Sequence, residues 1–342
     1  MRAVIFKEHG GLEKLIYTEA PRPKIGPHEI LVKVKACALN HLDIWTRLGM
    51  PGVSISMPHI LGCDIAGEIS EIGSKVKHFK IGKRVVVAPG FTPPNDSLKN
   101  TDWDSASDHY KILGCQVDGG YAEYVKVPAE NVFPVSKRLS FEEWAAVPLV
   151  FLTAWHMLVT RAKLKKGETV LIQAAGSGVG SAAIQLAKHI GAKIIATVGN
   201  DEKKTRAIGI GANWVVNYNK TDFSKEVRAI TKSKGVDVVL EHIGPDTFNK
   251  SLACLAKRGR LVTCGVTSGP SVQLDLRFLF SRQYSIMGCY MGGLKEFKEM
   301  LKVVEAGKVR PTLDKVFPLK EARRAQERML SRQNFGKIVL VP

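Results

Sequence analysis

An α/β fold in two domains, one β-rich and the other built on a doubly wound parallel sheet, is predicted by this 342-residue sequence. Three observations carry the prediction. First, Gly167–Lys203 reads as strand, small-residue turn, helix, strand, the unit that binds a dinucleotide. Second, much of the chain before residue 91 alternates apolar and polar residues between closely spaced glycines, the pattern of a compact barrel-like domain with sharp corners. Third, from Gly293 onward the pattern is a helix, a Pro311–Pro318 strand, a charged helix over Leu319–Arg332 and a closing strand over Lys337–Val341.

The elements follow in order. Ala3–Phe6 and Glu29–Lys35 read as antiparallel strands separated by a proline-rich turn, and Cys37–Gly49 as a short helix or turn. Strand patterns return in His59–Gly73 and Lys80–Gly90. Residues 90–118 are polar and turn-rich, a long surface lobe. Phe141–Val159 is helical with a break at Pro148. In the dinucleotide unit, Thr169–Ala174 is the first strand. Val179, Ala183, Leu186, Ala187 and Ile190 form the apolar stripe of the helix, Gly191 stops it, and Lys193–Val198 is the second strand. The turn permits two registers of the glycine pattern: Gly176, Gly178, Ser181, or Ala175, Ser177, Gly180. Gly235–Gly244 and Gly259–Gly269 are further buried strands whose C-terminal ends face the cofactor crevice.

Composition narrows the class. The chain is 45% hydrophobic and 24% charged, which describes a globular protein rather than a disordered one. It has no run of about 18 apolar residues, so no membrane-spanning helix is expected. The N-terminal MRAVIFKEHGG reads as a strand rather than a signal segment, and a cytoplasmic location is expected. Six scattered cysteines without a CxxC pair indicate reduced thiols. A formal net charge of +18 favours anionic partners such as a phosphorylated cofactor or an acyl-CoA-like substrate. The basic residues are dispersed, however, and without an aromatic-basic motif nucleic acid is not the expected partner.

The domain order, with GCDIAGEISEIG, AAGSGVG and ALNHLD, resembles the medium-chain dehydrogenase/reductase superfamily, specifically its quinone oxidoreductase branch and zinc-type alcohol dehydrogenase homologues. The resemblance implies a discontinuous GroES-like catalytic domain (residues 1–150 and 288–342) around a Rossmann domain (151–287). It implies hydride transfer between NAD(P)H and substrate in the cleft between them, in a homodimer or homotetramer. By the same resemblance the Ala175, Ser177, Gly180 register is the one in use, with Gly178 and Val179 beside it. Thr153 sits below the nicotinamide, while Ile243, Cys264, Gly265, Val266 and Cys289 line the crevice. Lys337 contacts the pyrophosphate. The slot that is acidic in NAD sites holds Asn200, and Lys203, Tyr218 and Arg332 match the residues that bind a 2′-phosphate, so NADPH is expected ahead of NADH.

The resemblance also bears on metal. A structural zinc needs four closely spaced cysteines, and residues 90–118 contain only Cys115, so none is expected. At the catalytic zinc position the family ligands match Cys37, Cys63 and Leu149, with Asp64 as the neighbouring acid; Leu39 replaces the proton-relay hydroxyl. A zinc-free site is expected; if zinc binds, Cys37, Cys63 and Asp64 are its ligands. Asn40, Asp43 and Trp45 are the expected catalytic residues, Asn40 facing the nicotinamide ribose and substrate, with Arg47 also at the pocket. The expected reaction is NADPH-dependent hydride transfer to a quinone, enone, enal or enoyl thioester. Zinc-dependent alcohol or aldehyde oxidoreduction is the alternative, and an RNA-binding or structural role the third.

Overall fold

A computed structural model describes all of residues 1–342. The chain divides into two units, Met1–Leu149 with Gly292–Pro342, and Val150–Met291.

The first unit is organised on the ten-residue strand Glu29–Ala38. Its Ile30, Leu31, Val32 and Val34 are β-formers with buried side chains. It pairs antiparallel with Asp64–Ile72, with Tyr124–Pro128 and with the closing strand Lys337–Val341. Arg84–Val87, Val132–Pro134 and Leu313–Pro318 complete a seven-stranded sheet. Register matters most at one end. Cys37 lies opposite both Ile65 and Leu340, and Ala38 opposite both Asp64 and Val339. Cys37 and Ala38 thus end a strand instead of beginning the helix expected over Cys37–Gly49. That helix runs His41–Leu48, after Asn40. Three chain segments remote in sequence therefore meet where Asn40, Asp64 and Lys337 stand.

The 90–118 lobe carries a two-stranded ribbon, Gly90–Phe91 with Lys111–Ile112. A buried carboxylate closes it: Asp104 accepts from the Thr92 hydroxyl at 2.6 Å and from the Leu294 N–H at 3.4 Å.

The second unit contains a six-stranded sheet, every pairing parallel. In spatial order its strands are Trp214–Asn217, Lys193–Val198, Thr169–Ile172, Val236–Glu241, Leu255–Thr263 and Ser285–Gly288. The winding direction reverses between Thr169–Ile172 and Val236–Glu241, the point at which open α/β sheets bind ligands. The apolar runs of the inner strands are buried, as strands covered on both faces require, whereas Ile286 and Met287 of the edge strand are only half-buried. The helix Gly178–Ile190 starts at the cap Ser177 and ends at Gly191, which is left-handed at φ 87°. No helix is long and apolar enough to cross a membrane.

Candidate functional site

Two polar clusters stand out, one in each unit. In the first, the Lys337 ammonium is buried among oxygens. Its Nζ donates to the Leu39 carbonyl at 2.5 Å, to Asn40 Oδ1 at 2.6 Å and to Asp64 Oδ2 at 2.8 Å. Asp64 has no exposed surface; its other oxygen accepts the Leu149 N–H at 2.7 Å. Asn40 Nδ2 donates to Asp64 Oδ2 at 2.9 Å and to Cys63 Sγ at 3.3 Å. Asn40 begins the helix His41–Leu48, but its side chain is turned away from capping into this cluster. The Asp43 carboxylate still accepts the Asn40 N–H at 2.8 Å.

This donor set does not fit a metal ion. Asp64 already accepts three hydrogen bonds, one of them from an ammonium. Cys37 and Cys63 are fully buried. Cys37 Sγ is wedged against backbone: a Cβ on Gly62 would lie 2.7 Å from it and one on Gly120 3.0 Å. No three His, Cys, Asp or Glu side chains are gathered to hold an ion.

Four expectations for this unit change. Lys337 cannot serve a pyrophosphate, because its three N–H bonds already meet three protein oxygens. Both ends of the Asn40 amide are engaged inside the protein, so it supports the cluster rather than hydrogen-bonding a substrate carbonyl. Asp43 is 1% exposed and braces the fold, accepting the Gly62 N–H at 3.0 Å and the Tyr121 hydroxyl at 3.1 Å. Burial raises its pKa from 3.8 to about 6. Arg47 lines no pocket: it is buried, donating to Gln326 Oε1 at 3.0 Å and to the Gly10 carbonyl. Trp45 is half-buried and lies one helical turn from exposed His41, ring centroids 6.0 Å apart. Along the helix, His41 and Leu48 are exposed and Leu42 and Trp45 half-buried.

In the second unit the turn after Thr169–Ile172 leads into the helix Gly178–Ile190, which is capped by Ser177. Left-handed geometry falls on Ala174, at φ 48°, and not on a glycine. Gly180 is required for a different reason: a Cβ there would lie 2.3 Å from the Ala174 carbonyl oxygen and 2.9 Å from Ser177 Oγ. Ser177 Oγ accepts the Gly180 N–H at 2.8 Å. The first N–H groups of a helix, here those of Gly178 and Val179, have no intrahelical acceptor. Ala175 is buried and anchors the turn through its N–H to the Thr197 carbonyl, 2.8 Å.

The other crevice residues stand at the C-terminal ends of the strands. Ile243 is half-buried and Val266 48% exposed. The Cys264 N–H donates to the Glu241 carbonyl and the Cys289 N–H to the Thr263 carbonyl, and a Cβ on Gly265 would lie 3.2 Å from the His242 carbonyl oxygen. Burial pushes the Cys264 thiol to about 12, which suits packing and not nucleophilic attack. Thr153 is buried with no hydrogen-bond partner for its hydroxyl. An orphan of that kind fits a site completed by a bound polar group.

A buried network here went unread in the sequence. Thr197 Oγ1 donates to Gln173 Oε1 at 2.6 Å, Gln173 Nε2 to Ser251 Oγ at 2.9 Å, and Ser251 Oγ to Glu241 Oε2 at 2.8 Å. Glu241 Oε1 accepts the N–H groups of His242 at 2.9 Å and Ile243 at 2.7 Å. The available signal is a glutamate and a histidine directly following the apolar run Val238–Leu240 in VDVVLEH.

At the end of the second strand, Asn200 caps the helix Asp201–Ile210 by accepting the Lys203 N–H at 2.9 Å. The nearest carboxylate, Asp201, is engaged by Asn217 Nδ2 at 2.8 Å and Lys220 Nζ at 2.6 Å. Tyr218 is 43% exposed, its hydroxyl 2.8 Å from where a Cβ on Gly199 would lie. Lys203 and Tyr218 thus follow the ends of two neighbouring strands, Lys193–Val198 and Trp214–Asn217. Arg332 belongs to the first unit, exposed and left-handed at φ 54°.

A GroES-like β domain together with a Rossmann-type sheet carrying this turn defines an oxidoreductase fold. Residues 26–137 match the family model of the alcohol dehydrogenase GroES-like domain, and residues 178–306 match that of zinc-binding dehydrogenase. The chain is 33% identical to a zinc-type alcohol dehydrogenase-like protein of Schizosaccharomyces pombe, over 99% of each chain. It is 32% identical to a 2-haloacrylate reductase of Burkholderia, over 100% of this chain and 99% of that one. It is 33% identical to a quinone oxidoreductase of Salmonella typhimurium, over 98% of each. Among solved structures, an NAD-dependent alcohol dehydrogenase superposes with a TM-score of 0.97 at 42% identity, both chains fully covered. A 2-octenoyl-CoA carboxylase reductase, CinF, in complex with NADP and 2-octenoyl-CoA does so at 0.90 and 27%, over 99% of this chain and 87% of that one. The chain belongs to the medium-chain dehydrogenase/reductase superfamily and is an oxidoreductase.

Proposed function

We propose that this chain is an NADPH-dependent reductase of activated double bonds, acting on quinones, enones, enals or enoyl thioesters such as acryloyl-CoA without zinc. The observation that carries the reading is the Asn40–Asp64–Lys337 cluster, which engages the acid beside Cys37 and Cys63 and leaves no set of metal donors. Conjugate reduction suits such a site. Hydride adds to the β carbon, the π electrons move to the carbonyl oxygen, and water protonates the α carbon, with no metal and no proton relay. A 2-haloacrylate reductase and a quinone oxidoreductase among the relatives, and a 2-octenoyl-CoA carboxylase reductase among the similar structures, support it.

The reduced nicotinamide, when bound, supplies the hydride. Ser177, Gly178, Val179 and Gly180 hold the pyrophosphate, and Thr153 offers its unpartnered hydroxyl to the bound cofactor. Lys203, Tyr218 and Arg332 take the 2′-phosphate; with Asn200 in the acidic slot and Asp201 engaged elsewhere, NADPH is favoured over NADH. Trp45 and His41 present the substrate-facing rings. The net charge of +18 favours an anionic substrate. The sheet edge Ser285–Gly288, with exposed Phe278 and Phe280 nearby in sequence, is the pairing edge of a cytoplasmic homodimer or homotetramer.

Alcohol oxidation is the second reading, favoured by 42% identity to an NAD-dependent alcohol dehydrogenase. A panel separates the two: NADPH oxidation with quinones, enals and acryloyl-CoA against NAD⁺ reduction with alcohols, alongside metal analysis. Turnover confined to alcohols, with about one zinc per chain, overturns the proposal.

A further inference from the structure

The start of the dinucleotide helix holds one serine whose hydroxyl geometry is over-determined. Ser177 Oγ receives the Gly180 N–H at 2.8 Å and also lies 3.3 Å from His242 Nε2. The same Nε2 lies 3.1 Å from the Gln173 carbonyl oxygen. A carbonyl only accepts, so Nε2 carries the ring proton and donates to both. With two N–H donors on Ser177 Oγ, its lone pairs are filled and its own proton has no partner among these groups. That proton is therefore available to a group bound at the helix start, beside the Gly178 and Val179 N–H groups, which lack an intrahelical acceptor.

His242 is held for this task. It is 8% exposed, and its backbone N–H is tied to Glu241 Oε1 at 2.9 Å, which is itself bound to Ser251 and Thr247. The imidazole and the helix cap come from different strand ends, Val236–Glu241 and Thr169–Ile172, which are hydrogen-bonded neighbours in the sheet.

We infer that His242 is a positioning residue for dinucleotide binding, whose Nε2–H sets the Ser177 hydroxyl as a donor to the cofactor pyrophosphate. The inference rests on the dinucleotide reading above and adds a residue to it.

The test measures dissociation constants of wild type, H242A, H242Q and S177A for NADPH and for 2′-AMP, which has the adenosine 2′-phosphate but no pyrophosphate. H242A is expected to weaken NADPH about tenfold, the scale of one directed hydrogen bond to a charged group, and to leave 2′-AMP within about twofold. S177A should match H242A, and H242Q, which keeps an N–H donor, should recover most of the loss. If H242A does not fold, S177A against H242Q carries the same comparison. NADPH binding by H242A equal to wild type overturns the inference. So does an equal loss of NADPH and 2′-AMP, which marks a merely structural histidine. Wild type that binds neither NADPH nor NADH overturns the dinucleotide reading itself, a result distinct from either.

Discussion

The Lys337 ammonium and the Asp64 carboxylate form an ion pair at 2.8 Å with side chains 4% and 0% exposed. One partner lies in the last strand and the other begins Asp64–Ile72, so the pair ties the C-terminus of the chain to the strand that carries Cys63's neighbour. Removing one member of a buried pair strands the other charge in low dielectric.

K337M is therefore expected to destabilise the protein by about 3–5 kcal/mol in urea unfolding. The double variant D64N/K337M should lose less than the sum of the single losses, because the uncompensated carboxylate is gone. Strict additivity would mean that the two groups do not interact.

Asp43 makes stability pH-dependent in a stated direction. Its folded pKa is raised from 3.8 to about 6, so between those values the folded state holds a proton that the unfolded state has released. Stability then falls as pH rises from about 4 to about 6, by on the order of 2–3 kcal/mol from this group. Urea midpoints across that range should show the fall in wild type and a flatter profile in D43N. Identical profiles would remove Asp43 as the source.

Gly180 tests the turn. In G180A the added methyl meets the Ala174 carbonyl and Ser177 Oγ. The turn must open, and NADPH affinity is expected to drop by about tenfold or more while the far-ultraviolet circular dichroism stays that of wild type. Unchanged affinity would place the cofactor elsewhere.

Cofactor choice is tested at the second strand end. K203A should raise the KM for NADPH about tenfold with little change for NADH, since it removes a charge-assisted contact to the extra phosphate alone. N200D should shift the ratio of kcat/KM further toward NADH. A K203A variant that loses both cofactors equally would remove Lys203 from the 2′-phosphate site.

Legibility in the sequence followed the range of the interactions. The Gly167–Lys203 unit is written in local signals: a short apolar run, small residues in the turn, a 3.6-residue stripe and a stop at Gly191. Those signals give the sheet type; the family resemblance also needs GCDIAGEISEIG and ALNHLD from the first unit. The end of Glu29–Ala38 was less legible, because Cys37 and Ala38 are held in strand by Asp64–Ile72 and Lys337–Val341, which no local pattern records. The resemblance assigns Lys337 to the pyrophosphate; its partner Asp64 lies 273 residues away, and the register of the closing strand turns it inward. The turn motif marks Ser177, whereas the meaning of His242 depends on a neighbouring strand, which no local signal records.

The most direct measurement follows the hydride. But-2-enal is reduced with NADPH carrying deuterium at C4, and the product is read by NMR. Conjugate reduction places one deuterium on the β carbon and yields butanal. Deuterium on the carbonyl carbon, with but-2-enol as product, would contradict the proposed chemistry and make the protein an aldehyde reductase of the alcohol dehydrogenase type.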